Sequence, residues 1–95
     1  MTFEQFKATL KNEQPPTGIT TVLTALWYAG KGRWEQAHNI VQDIPTREGS
    51  WVHAYLHRVE GDDGNASYWY SKAGRKIPAL SLEEEWEEIV TAIHT

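Results

Sequence analysis

The chain contains no cysteine, which excludes a disulfide staple, a thiolate metal site and a cysteine nucleophile. It has no apolar run near the roughly 20 residues that a membrane-spanning helix needs. Its start, Met1-Thr2-Phe3-Glu4, has neither the basic nor the apolar region of a secretory leader. Basic residues are also scarce: 9 Lys and Arg face 13 Asp and Glu, for a net charge of -4. Without a basic stripe to neutralise phosphates, the usual electrostatic route to nucleic acid is excluded. The nucleophile pattern G-x-S-x-G is missing, and Gly61-x-x-Gly64 follows a helical pattern rather than the strand that a phosphate loop requires. No segment alternates with period two for long enough to make a strand. These absences leave an all-α protein, expected to be cytoplasmic and to touch neither membrane nor nucleic acid.

What the chain does have is aromatic bulk. Five Trp, four Tyr and two Phe in 95 residues give a single domain, 1–95, the large side chains that a small core needs. Apolar spacing and cap residues predict about six helices. The first runs from Phe3 to about Asn12, with Thr2 as cap, before Pro15-Pro16. The second covers about Gly18 to Gly30, and the third about Trp34 to Ile44, ended by Pro45. Ser50 reads as the cap of a fourth helix, Trp51 to Glu60. A fifth covers about Asn65 to Ala73. The last runs from Leu82 to about Ile93 behind a Ser81/Glu84 capping box. Its run Glu83 to Glu88 reads as a solvated face near a favourable dipole end.

Gly32-x-x-x-x-Ala37 recurs 29 residues on as Gly61-x-x-x-x-Ala66. Each frame joins one helical pattern to the next, so the helices are expected to pair as antiparallel hairpins. The stretch from about Thr21 to Pro78 resembles the tetratricopeptide repeat family. Ala25, Tyr28, Gly32, Trp34 and Ala37 carry the resemblance in one copy, and Ala54, Gly61, Ala66, Tyr70, Ala73 and Pro78 in the next. His57 stands where Tyr28 stands in the first copy. The segment from Trp51 to Arg58, with Asn65 to Tyr70 and Ala73 to Arg75, also resembles a group of short uncharacterised microbial and fungal proteins. The tetratricopeptide resemblance implies a short helical array that binds a protein or peptide and needs no cofactor. On that reading Trp27, His53, His57 and Arg58 form the binding surface, because Trp and Arg dominate interface hot spots. The open ends of such an array make a homo-oligomer a further expectation.

A second reading centres on histidine. His53 and His57 are four apart on one helix, so both rings face one side, and His38 on the preceding helix is a third candidate. Three neutral imidazoles beside Glu60 form a ligand set for a divalent transition metal, or a small-molecule site with acid–base capacity. H-E-x-x-H is not present, since Ala54 follows His53. The same rings also suit a plain role as hydrogen-bonders at a helix junction. Lys72, Arg75 and Lys76 complement the C-terminal dipole of the fifth helix, with anion binding as their secondary reading.

Overall fold

Six α-helices and one 3₁₀ turn account for the regular structure of the computed structural model, which describes residues 1–93 and contains no strand among them. The helices are α1 (Phe3–Ala8), α2 (Thr21–Gly30), α3 (Trp34–Val41), α4 (Arg47–Val59), α5 (Asp63–Lys72) and α6 (Leu82–Ile93). The all-helical class expected from the sequence is what the chain adopts. No helix among the described residues is long and apolar enough to cross a membrane.

Thr2 and Gln5 form a complete capping box on α1. The expected continuation to Asn12 tightens instead into a 3₁₀ turn, Thr9–Lys11. The Thr9 hydroxyl donates to the Phe6 carbonyl at 2.6 Å and accepts the Trp27 indole N–H at 3.1 Å. That hydroxyl pins the end of α1 onto α2 and draws Trp27 into the core. α2 starts later than expected, because Gly18 makes a left-handed turn at φ 81° and Thr20 is the cap.

The two glycines 29 residues apart do the same job. Gly32 and Gly61 have φ of 76° and 80°, a region open to glycine at little cost. The following amides, of Arg33 and Asp62, reach back to the carbonyls of Tyr28 and His57 at 2.9 Å. This closes a Schellman motif on each helix and turns the chain within three residues. Consequently α3 packs back on α2 and α5 on α4, and these are the two most extensive helix contacts.

α4 begins a full turn before the expected Trp51, with Thr46 rather than Ser50 as its cap. Gly49, which reads as a loop residue, lies within this helix for a steric reason. A Cβ there would lie 2.8 Å from the Ile44 carbonyl oxygen. α4 is the central helix: it touches α2, α3, α5 and α6, and every residue from Gly49 to His57 is buried. α6 closes the assembly behind the expected Ser81/Glu84 box. Its Trp86 donates to the Leu26 carbonyl at 2.9 Å and packs against Phe3 and Phe6. The solvated-face expectation for Glu83 to Glu88 fails at Glu85, which has no solvent exposure.

Candidate metal centre

The last turn of α3 and the second half of α4 bring three imidazoles together. His53 and His57 lie one turn apart on α4, and both are buried. His38 comes from α3 and is half-buried. One ring nitrogen from each of the three lies within 4.8 Å of one from each of the others. An equilateral triangle of that size has its corners about 2.8 Å from its centre. Shifts below about 1 Å therefore bring all three to the roughly 2.0–2.1 Å of a zinc–imidazole bond.

One pair is already close to that geometry. His38 Nε2 and His53 Nε2 are 3.1 Å apart, against about 3.3 Å for two nitrogens on a tetrahedral zinc ion. Without a metal, a single proton shared between these nitrogens holds the rings in place. His57 is oriented from behind: its Nδ1 lies 3.0 Å from Glu60 Oε2. A carboxylate only accepts, so Nδ1 is the donor and Nε2 keeps the free lone pair. Such a carboxylate behind an imidazole is the usual outer partner of a metal-ligating histidine.

Two indoles set the ring planes. Trp34 stacks on His38 with centroids 4.8 Å apart and an interplanar angle of 10°. Trp69 stacks on His53 at 4.0 Å and 21°. Trp34 is itself held by its N–H, which donates to the Leu56 carbonyl at 2.6 Å.

The cluster favours neutral rings. Burial, and then repulsion from His38 and His57, depress the His53 pKa to about 4. Burial and repulsion from His57 also lower that of His38, with Glu60 opposing. Neutral imidazole is the metal-binding form, so both stay ready ligands below neutral pH.

His53 Nδ1 is buried and has no hydrogen-bond partner. If Nε2 took a metal, Nδ1 would carry a proton with no acceptor, costing about 1–3 kcal/mol. A metal held by the three imidazoles must offset that cost. His57, Glu60 and Asp62 form a second close group at the rim. Its carboxylates are occupied: Glu60 accepts from His57, and Asp62 accepts from the Asn65 amide nitrogens at 3.2 and 2.7 Å. The Asn65 bonds hold the Asp62 carboxyl below its ordinary range.

The structure therefore joins the three histidines anticipated as ligands and separates them from Trp27 and Arg58. Neither of those two presents a largely exposed side chain. Trp27 has no exposure and gives its N–H to Thr9. The Arg58 guanidinium donates to Glu85 at 2.9 Å and to the Leu80 carbonyl. Trp34 and Trp69 as ring supports were not singled out from the sequence. Their signal was spacing alone, Trp34 standing four residues before His38 on one helix face. Comparison with known proteins finds no matching family model, curated protein or solved structure.

Proposed function

We propose that the chain binds one divalent transition-metal ion of the zinc class through His38, His53 and His57. The observation that carries this reading is the convergence of three imidazoles from two helices, one of them already backed by a carboxylate. Three neutral nitrogen ligands leave a fourth position for water or an external group, the pattern of an open rather than a closed zinc site. Imidazole donors suit zinc, copper and nickel and disfavour magnesium and calcium. The two hairpins serve as the frame, and their matching glycine turns support stacked tetratricopeptide-like units. This reading displaces the protein- or peptide-binding surface, two of whose four anchors, Trp27 and Arg58, serve the interior.

The test is elemental analysis of untagged protein after dialysis against zinc, with calorimetric titration of metal-free protein. One equivalent is expected. A ligand in 100-fold excess over its Kd adds about 2.7 kcal/mol, and each kcal/mol raises the Tm of a domain this size by roughly 4–8 °C. A rise of about 10 °C or more is therefore expected with zinc. It should disappear in His53→Ala and in His38→Ala. Zinc binding at the same affinity in both variants sinks the proposal, as does no binding below millimolar concentration.

A further inference from the structure

Away from the imidazoles, a cleft of about 540 Å³ opens between the first turns of α4, the loop after α5 and the last turn of α6. Its volume lies in the ordinary range for small-molecule sites. Arg47, Glu48, Trp51, Gly74, Arg75 and Lys76 are the lining residues that matter. In a chain of net charge -4, three cations and one acid concentrate here. A cleft of one prevailing sign focuses the field and draws in the opposite charge.

Among the described residues these cations have no ion-pair partner. Among the described residues the ion pairs are His57–Glu60 and Arg58–Glu85, and neither involves Arg47, Arg75 or Lys76. The fold nevertheless positions one of them. The Arg75 guanidinium lies 3.4 Å from the Trp51 ring centroid. Stacking occupies its face and leaves its in-plane N–H groups available as a pre-organised fork. Trp51 is a firm platform, because its own N–H is bonded to the buried Glu85.

Arg47 lies beside the Gly74 turn in the same cleft. Gly74 turns the chain at φ 73°, and the Arg47 guanidinium lies 3.9 Å from where a Cβ on it would stand.

We infer that this cleft is a binding site for a small phosphomonoester. Among the described lining residues, Arg47, Arg75 and Lys76 against Glu48 leave a local charge of +2. That matches the charge of a phosphomonoester, about -1.5 to -2 near neutrality, better than the single charge of a carboxylate. Two guanidinium forks and one ammonium also suit three terminal oxygens. The site is independent of the metal reading, since it shares no residue with the imidazole cluster.

The test is titration of isotopically labelled protein with phenyl phosphate and with inorganic phosphate at low ionic strength, following the amides of Gly74 and Arg75. Saturable binding with Kd near or below ~1 mM is expected. Arg47→Gln and Arg75→Gln should each weaken it about tenfold. Glu48→Gln should tighten it, and Lys7→Gln, outside the cleft, should change nothing. If Arg75→Gln unsettles Trp51 and the fold, Glu48→Gln and Lys7→Gln still decide the matter. Absence of saturation, or equal loss in Lys7→Gln, overturns the assignment. Vesicles of phosphatidic acid in phosphatidylcholine separate the sources of the phosphate. Binding to them without a response to phenyl phosphate overturns the soluble-ligand assignment.

Discussion

A carboxylate shut away from water is tolerable only if donors surround it, and Glu85 has three. Trp51 donates to Oε2 at 3.2 Å, Arg58 to Oε1 at 2.9 Å, and the Tyr70 hydroxyl lies 2.7 and 2.6 Å from the two oxygens. Burial and the bond to Glu85 push the Tyr70 pKa upward, so Tyr70 remains a donor. The bonds tie α6 to α4 and α5 through one side chain. Arg58→Ala should therefore lower stability by about 2–3 kcal/mol. That lies below the roughly 3–5 kcal/mol for breaking a fully buried pair, since the Arg58 side chain keeps 19% exposure. Tyr70→Phe should cost about 1.5–3 kcal/mol, the worth of a hydrogen bond to a charged group. Urea unfolding followed by circular dichroism measures both. An unchanged midpoint for Arg58→Ala would mean that the pair contributes nothing. Glu85 was partly legible: it sits three residues after Leu82 and one before Trp86, on the apolar stripe of α6. The surrounding glutamates hid it, because composition ranks a run of acids as solvent-facing. Trp27 was missed for a related reason. It was expected on the binding surface, whereas α2 meets α3, α4 and α6, and Thr9 adds a further contact.

At the scale of the helix, the glycines separate into distinct physical roles, and alanine substitution distinguishes them. Gly64 lies near the start of α5 with only an Asp62 oxygen, 4.0 Å away, beside its open Cβ position. Gly64→Ala should stabilise by about 0.4–1 kcal/mol by restricting the unfolded chain. Gly61→Ala should destabilise by about 1–2 kcal/mol, because its left-handed turn disfavours a Cβ although space is available. Gly49→Ala meets backbone that cannot step aside and should cost about 1–3 kcal/mol despite better helix propensity. Gly30→Ala meets the ends of Trp86 and Leu10 at 2.9 and 3.0 Å. Those side chains can shift, so its cost should be smaller than that of Gly49→Ala. Thermal unfolding of the four variants gives the ranking, and a stabilising Gly49→Ala would refute the close approach. The hairpin turns were legible because the repeated frame marks backbone that only glycine takes up easily. The start of α4 was not. A glycine demanded by a tight crossing looks, in one dimension, the same as a glycine that breaks a helix.

For the molecule as a whole, the buried imidazoles make the metal-free protein sensitive to acid. His53 titrates near 4 when folded, against 6.5 ordinarily. Between those values the unfolded chain holds more protons, so stability is full above about pH 6.5 and falls as the pH drops toward 4. The loss should be on the order of 2–3 kcal/mol, and His38, lowered in the same direction, adds to it. Urea midpoints at pH 7.5, 6 and 5 in chelator check this, and His53→Gln should flatten the slope. An equally steep slope in His53→Gln would assign the acid sensitivity elsewhere. The ligand set was readable because i,i+4 spacing on one helix fixes two rings. Its completion was not, since whether α3 brings His38 alongside depends on the tilt between two helices. That arrangement is also lopsided in a way that bears on residence time. His53 rides in the enclosed middle of α4, while His57 sits in the last turn of that helix and His38 in the last turn of the eight-residue α3. An ion held there would be released by unwinding the last turn of α3, so its dissociation rate would follow local opening rather than the stability of the domain.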